Sequence, residues 1–406
     1  MWILAALPLA AQPRRAVLID IDGVRADTLS RVFGEGRLPN LARIFGGARW
    51  FDHASTVIPS VTMAAQASIA TGTPPSRHGI PGNEWYDRKA HALVSYMNAT
   101  GVSCVYGFTI LGGPVCSTGL GNHDLEAPTM YEAASAAGLD SVVVFNQYWK
   151  GATRPAIPTA AQARTFTGGN KLDFRVFDEQ MTARAIEAIG SRGMPALLTL
   201  YFTGADTIAH TLGIAAQPDY LAGAIDPAIG RVLAAVEAAD PEWKAHTLFV
   251  LTSDHGRTDI AGHPEDARLK QDLLALLPAG SQIADNGGVL YVYLNGPLPQ
   301  GVEWPDAVAA ARPRSPADPA RAGDLILTLR AGRYAGKTEG SQHGGVYPED
   351  LAVPIVVAGP GVAPGHSAET VSITRIARTF AEFLGFRMET ADPPLPLAAP
   401  REAGTH

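Results

Sequence analysis

Charge is scarce in this chain of 406 residues: Asp, Glu, Lys and Arg make up 17% of it, below the roughly one quarter usual in globular proteins. Acidic residues outnumber basic ones 39 to 32, a net charge of −7, and neither sign gathers in a block. Such a chain lacks the dense positive face that sequence-independent phosphate binding needs, so a stable nucleic-acid complex is not expected. Nor does any stretch reach the roughly 18 consecutive apolar residues of a membrane span. Cysteine is nearly absent. Cys104 and Cys116 are the pair, twelve apart in a Gly-rich segment; they could bridge in an oxidising compartment or remain two thiols. What is present is 46% hydrophobic residues, enough for a sizeable core, which excludes a disordered or fibrous protein.

Residues 1–12, MWILAALPLAAQ, are apolar and small and precede Arg14 and Arg15. They read as the apolar and cleavage zones of a secretory signal lacking its basic start, or as a buried first strand. The first reading predicts a periplasmic or secreted protein. Beyond them, short β-rich runs alternate with Ala-rich helical stretches, the pattern of a largely parallel sheet with helices on both faces. Strands are predicted over Ala16–Ile21, Ser141–Phe145, Ala196–Phe202, Thr247–Thr252, Val289–Leu294 and Val353–Ala358. Helices are predicted between them, among others over Thr129–Ala137 and Asp178–Ile189. Two stretches read as insertions, about 85–125 and about 262–340, the second with strands of its own and able to form a small subdomain. The remainder makes one domain over 13–390. A Pro-rich tail, 391–406, is expected to trail over the surface.

In open α/β sheets, ligands gather at the carboxyl ends of the strands. Asp22 ends the first predicted strand, Asp206 stands just past the third, and Asp254 and His255 follow the fourth. His210 shares a face with Asp206 if a helix begins there. His343 sits in a glycine-flanked loop, GSQHGG. Singly, each has a plainer reading as a solvated side chain. Together, three Asp and three His suit two divalent ions with mixed N/O coordination, as zinc prefers. Three carboxylates against two such cations leave the site positive and attractive to a phosphoryl anion, and paired metals stabilise both oxygens of an in-line displacement. Thr62, where PSVTMAAQASIATG passes from loop to helix, is the candidate nucleophile, placed beside backbone N–H groups and the positive helix end. The plainer alternative is that Thr62 or Ser60 caps that helix.

Val17–Thr28, VLIDIDGVRADT, resembles the opening motif of haloacid-dehalogenase-type phosphatases, in which Asp20 would be the nucleophile. The histidine placement does not belong to that pattern. The fuller set resembles the alkaline phosphatase superfamily, and within it the type I phosphodiesterase/nucleotide pyrophosphatase family. IDGVRADT, LPNLARI, PSVTMAAQASIATGTPPSRHGIPGNEWYD, LYFTGADTIAHTLG, LTSDHGRTD and GSQHGGVYPEDLAVPIVVAGPG carry this resemblance, which runs from about Ala16 to Phe383.

The resemblance implies an α/β, alkaline-phosphatase-like three-layer sandwich with a small inserted cap. It implies two Zn2+ ions, one held by Asp22, Asp254 and His255 together with the Thr62 oxygen, the other by Asp206, His210 and His343. Asn83, twenty-one residues after Thr62, would donate its amide to a non-bridging phosphate oxygen; its plainer reading is a turn residue. Asp20 has no ligand role. The implied activity is hydrolysis of phosphodiester or pyrophosphate bonds in a small phosphate ester or nucleotide, through a phospho-threonine intermediate. Two other readings stay open: a phosphomonoesterase, with Lys150 and Arg154 as the nearest candidates for the Lys/Arg clamp of that branch, and a non-catalytic metal-binding scaffold. The chain departs from the phosphodiesterases just after the nucleophile, where Met63, Ala64, Ala65 and Gln66 stand in place of a Pro-Asn-His-like run. Trp85, Tyr86 and Tyr148 could stack on a substrate or pack in the core or rim. The oligomeric state is not specified.

Overall fold

The computed structural model describes residues 13–96, 119–158, 175–389 and 392–398. The strands begin with β1 (Arg15–Ile21), β2 (Arg49–Ser55), the hairpin β3 (Glu84–Asp87) and β4 (Ala92–Ser95), β5 (Ser141–Val144) and β6 (Arg154–Ala156). They continue with β7 (Leu197–Phe202), β8 (Thr247–Thr252), the short β9 (Thr258–Asp259), β10 (Gln282–Asn286), β11 (Val289–Tyr293) and β12 (Val308–Pro313). Last come β13 (Leu325–Leu329), the two-residue β14 (Ser341–Gln342), β15 (Ile355–Ala358) and β16 (Gly365–Ser372). Eight of them form the central sheet, in the spatial order β16-β2-β15-β8-β1-β7-β5-β6. Its neighbours pair in parallel except where β15 meets β8 and β2.

The alternation of β1 sets the layers. Successive side chains of a strand point to opposite faces. Val17, Ile19 and Ile21 enter a cluster with helices α3 (Arg175–Arg192) and α5 (Asp226–Ala239), while Ala16 and Leu18 enter the one on the other face. That second cluster is covered by α1 (Thr62–Thr71), α2 (Met130–Ala136) and α6 (Arg375–Leu384). Every residue of α1 is buried, which its small side chains, Ala64, Ala65, Ala67 and Ala70, allow by close approach to its neighbours. The predicted helix from Thr129 begins one residue later because Thr129 is its cap: the side chain accepts from Glu132 N at 3.1 Å, and Glu132 answers on Thr129 N at 2.9 Å.

Two expectations need correction. The strand predicted at Val289–Leu294 is not part of the central sheet. As β11 it pairs antiparallel with β10 and β13 in a separate four-stranded sheet, order β10-β11-β13-β12. The tight Gly287-Gly288 connection, with Gly287 at φ 71°, folds it back on its sequence neighbour. This sheet, within the 262–340 insertion, buries its own cluster of Leu273, Leu290, Val292 and Leu327. The second correction concerns the tail. Residues 392–398 are pinned: Leu395 is buried in the core, and Arg375 donates to the carbonyls of Pro393 and Pro394. Residues 1–12, Cys104, Cys116 and residues 399–406 lie outside the described residues. Among the described residues, no helix is long and apolar enough to cross a membrane.

Candidate active site

β7, β1 and β8 are adjacent and in parallel register, with Ile21 opposite Phe202 and Asp20 opposite Thr252. Their carboxyl ends therefore deliver Asp22, Asp206 and Asp254 to one edge of the sheet, where a cleft of about 760 Å³ opens. The helix α4 (Gly204–Leu212) puts Asp206 and His210 one turn apart, with Oδ2 and Nε2 at 3.2 Å. His343 Nε2 comes within 3.9 Å of Asp206 Oδ1. On the other side, His255 Nε2 is 3.3 Å from Asp22 Oδ1 and 3.7 Å from Asp254 Oδ2. Within each triad, Asp22–Asp254–His255 and Asp206–His210–His343, three ligand-type atoms lie within 4.8 Å of one another. The rings of His255 and His343 stack at 3.6 Å between centroids, so the triads share a border.

The three histidines are oriented alike. Each Nδ1 meets a backbone carbonyl: Gly256 O at 2.9 Å for His255, Ser341 O at 3.0 Å for His210 and Ser60 O at 3.1 Å for His343. That bond makes Nδ1 the donor and turns Nε2 toward the carboxylates, the orientation of a metal-ligating imidazole. Buried carboxylate oxygens complete the fit: Asp22 Oδ1 and Asp254 Oδ2 have no hydrogen-bond partner, whereas Asp206 Oδ1 is met by the Arg257 guanidinium. Unsatisfied buried anionic oxygens are costly unless a cation meets them. The donor set, carboxylate oxygen with imidazole nitrogen, is one zinc accepts.

Electrostatics agree. Burial, then the neighbouring charges of Asp254 and Asp206, push the Asp22 carboxyl well above its usual range. Burial also works against charge on Asp206, but Arg257, with help from His210 and His343, outweighs it and holds that carboxyl well below the usual range. His255 is likewise penalised by burial, yet Asp254 and Asp22 raise it to about 10. His343 is pushed down by burial and by its charged neighbour His255. Carboxylates crowded at this spacing require a counter-charge above the one that Arg257 brings.

Thr62 is the first residue of α1, and its Oγ1 lies 3.3 Å from His255 Nε2. The capping alternative fails. Val61 occupies the cap position with no side-chain bond, and Ser60 Oγ donates instead to Gly345 O at 2.8 Å. Asn83 reaches back to the same helix start, its Oδ1 accepting from Met63 N at 3.0 Å. The amide NH2 of Asn83 is thereby left for the cleft that Asn83 and Thr62 both line. Met63 N–H is engaged in this bond, so it is not the free anion donor expected at the helix end. Met63, Ala64, Ala65 and Gln66 are fully buried and do not line the cleft.

Asp20, on the α1 face of β1, accepts from Gln66 Nε2 at 2.6 Å and stands behind the cleft. Lys150 and Arg154 do not reach it: Lys150 pairs with Glu132 at 3.7 Å and Arg154 with Asp140 at 2.6 Å. Tyr148 is buried in the core, Trp85 packs beside it, and Tyr86 meets Tyr293 at 5.6 Å, so all three are packing residues. Sequence reasoning missed Gln147 and Lys337, which line the cleft, and Arg257, which is fully buried with Nη1 3.0 Å from Asp206 Oδ1. A signal existed for Gln147, which follows the end of a strand of the same sheet, and for Arg257, three residues past Asp254 in TSDHGRTD.

The three-layer sandwich that carries the two Asp/His triads beside a helix-start threonine is an alkaline-phosphatase-like fold. The chain belongs to the type I phosphodiesterase / nucleotide pyrophosphatase family, whose model matches residues 16–354. In sequence it is 35% identical over 81 residues to alkaline phosphatase PafA of Elizabethkingia meningoseptica, a match covering 19% of this chain and 14% of that enzyme. In structure it resembles murine ectonucleotide pyrophosphatase / phosphodiesterase 5, with a TM-score of 0.69, 16% identity, and coverage of 94% of this chain and 97% of the other. The same murine protein as an inactive threonine-to-alanine variant in complex with AMP matches with a TM-score of 0.69 at 15% identity over the same shares of both chains. The crystal structure of wild-type alkaline phosphatase PafA gives 0.73 at 16% identity, covering 97% of this chain and 100% of that one. At such identities these structures establish the shared fold.

Proposed function

We propose that this protein is a dizinc hydrolase of phosphodiester or pyrophosphate bonds in small phosphate esters or nucleotides, with Thr62 as nucleophile. The observation that carries this reading is the Thr62 hydroxyl, at a helix start, beside two bordering Asp/His triads in one cleft. Asp22, Asp254 and His255 would hold one ion and Asp206, His210 and His343 the other. Bound zinc would lower the pKa of the Thr62 hydroxyl and offset the crowded carboxylates. Thr62 Oγ1 gives its proton to solvent and forms a bond to phosphorus as the bond to the leaving alcohol or phosphate breaks, the leaving alkoxide taking a proton from water. Water then cleaves the phospho-threonine, restoring the hydroxyl. Asn83, its orientation fixed by Met63 N–H, donates to a non-bridging oxygen throughout. The murine neighbour that holds AMP as an inactive threonine-to-alanine variant fits a threonine nucleophile and a nucleotide-sized ester.

The local sequence match to an alkaline phosphatase favours a monoesterase as the second reading. Against it, Lys150 and Arg154 pair away from the cleft. Residues 1–12 support a periplasmic or secreted location. The deciding measurement compares kcat/KM for bis-p-nitrophenyl phosphate and p-nitrophenyl phosphate in zinc-loaded wild type and Thr62→Ala. The diester is expected to be preferred, and Thr62→Ala to lose turnover while keeping about two metals per chain. A much larger monoester kcat/KM would reverse the order of the two readings, and residual turnover in Thr62→Ala would move the nucleophile elsewhere.

A further inference from the structure

Gln147 stands in the cleft wall without a part in the reaction just described. It follows β5 at the same carboxyl edge that delivers the acidic residues. Just before it, Phe145 adopts φ 50°, a left-handed conformation that bulky residues rarely take and that needs support from its surroundings. This turn sends the next two side chains apart. Asn146 bonds Gln66 beneath α1, while Gln147 lines the cleft with Asp22, Thr62 and Asn83. The Gln147 carbonyl is fixed by Asn122 Nδ2 at 3.1 Å, so the position is built rather than loose. Although Gln147 is only 4% exposed, its Oε1 has no hydrogen-bond partner. That buried oxygen is an acceptor and has nothing to offer an anion; the NH2 of the same carboxamide carries two donors, and these are what a phosphoryl oxygen in the cleft would meet.

The charge of that wall matters as much as its position. Asn83 and Gln147, which share the wall with Thr62, are neutral. Among the described residues lining the cleft, Lys337 is the sole Lys or Arg, and it is exposed on the rim. The phosphorus of a diester carries one negative charge on its non-bridging oxygens, whereas a monoester carries nearly two at neutral pH. Amide donors suit the first; a guanidinium or ammonium at the same place would suit the second.

We infer that Gln147 contacts the transferred phosphoryl group and, by being neutral, tilts the enzyme toward singly charged phosphoryl centres over dianionic monoesters. This rests on the Thr62 reading above. The test uses the zinc-loaded full chain as wild type, Gln147→Ala and Gln147→Lys, with Tm and zinc content as controls of integrity. Gln147→Ala is expected to lose about tenfold or more in kcat/KM for bis-p-nitrophenyl phosphate. Gln147→Lys is expected to raise the monoester-to-diester ratio of kcat/KM about tenfold and to bind inorganic phosphate more tightly in calorimetry. If the lysine variant does not fold, Gln147→Met takes its place, with a similar diester loss expected and an unchanged diester kcat/KM overturning the inference. Ratios within about twofold of wild type in folded, zinc-loaded variants of an active, Thr62-dependent enzyme overturn the role of Gln147 alone. A wild type inactive on both esters, or one indifferent to Thr62→Ala, overturns the nucleophile reading and this inference with it.

Discussion

Asn286 grips the backbone of Glu84 with both ends of its carboxamide: Oδ1 accepts from Glu84 N at 3.0 Å, and Nδ2 donates to Glu84 O at 3.1 Å. The two residues are 202 apart in sequence. Asn286 ends β10 of the inserted sheet, and Glu84 follows Asn83 directly, so the insertion holds this cleft-lining asparagine in place. Gly287 and Gly344 add to the same joint, because a Cβ on Gly287 would lie 1.9 Å from His343 O and one on Gly344 would lie 2.1 Å from Asn286 O. Asn286→Ala should therefore lower kcat by roughly tenfold or more, since a small misplacement of a catalytic donor is costly. Zinc content should stay unchanged. Steady-state kinetics beside metal analysis check this, and full activity in the variant would detach the insertion from catalysis.

Arg257 compensates Asp206 from inside the protein, with Nη1 3.0 Å from Oδ1 and 2.6 Å from the Asp206 carbonyl. Removing one partner of a buried ion pair leaves the other uncompensated, a loss of about 3–5 kcal/mol. Zinc would supply positive charge to the same carboxylate, so Arg257→Met should destabilise the chelator-treated protein more than the zinc-loaded one. Thermal unfolding with and without zinc measures the difference. Equal losses in both states would mean that Asp206 and the metal do not share charge.

Much of the site was legible because its residues fall where a strand ends. The rule that β1, β7 and β8 point their carboxyl ends at the ligand needs only the strands, and those are apolar runs that are hard to miss. Motif order supplied the rest, down to Asn83. What escaped was decided by packing. Nothing in YAGKTEG says that Lys337 reaches the rim, because the chain between β13 and β14 is placed by tertiary contacts. Val289–Leu294 was legible as a strand but not as a member of the smaller sheet, since a run of six apolar residues reads alike in either. The capping alternative for Ser60 could be dismissed only when its hydroxyl was seen to bond Gly345, 285 residues away, and that for Thr62 only when Val61 was seen to hold the cap position.

Asp20 and Asp22 are two residues apart, yet the end of β1 at Ile21 separates their environments. Asp20 faces α1 and accepts from Gln66, whereas Asp22 lies beyond the strand end, accepts from the Tyr201 hydroxyl and faces His255. Asp20→Asn should keep most of the activity. Asp22→Asn should lose zinc along with at least about a hundredfold in kcat/KM, as expected when a ligand of a catalytic ion is removed. The opposite order would return the nucleophile to the IDIDG segment and favour the dehalogenase-type reading.

Asp178 lies away from the triads, on α3, and gives the chain a pH dependence of its own. It accepts from Tyr220 OH at 2.8 Å and from Thr203 N at 3.2 Å. Burial nevertheless raises its pKa to about 7. In the unfolded chain this carboxyl releases its proton near the ordinary aspartate range, well below the folded value. A raised carboxyl pKa means that the folded state holds the proton longer. Stability therefore falls as pH rises from the unfolded value to about 7 and is level beyond it. Asparagine stays neutral throughout and can serve both partners. At about pH 5.5 the folded carboxyl keeps its proton while the unfolded one has lost it, so Asp178→Asn should already unfold somewhat above wild type, and the gap should widen toward pH 7. At about pH 8.5 the Tm gap between variant and wild type should exceed the gap at pH 5.5 by roughly 2 °C or more in zinc-saturated protein. A Tm difference that stays constant across that range would show that Asp178 does not carry a buried charge in the folded protein.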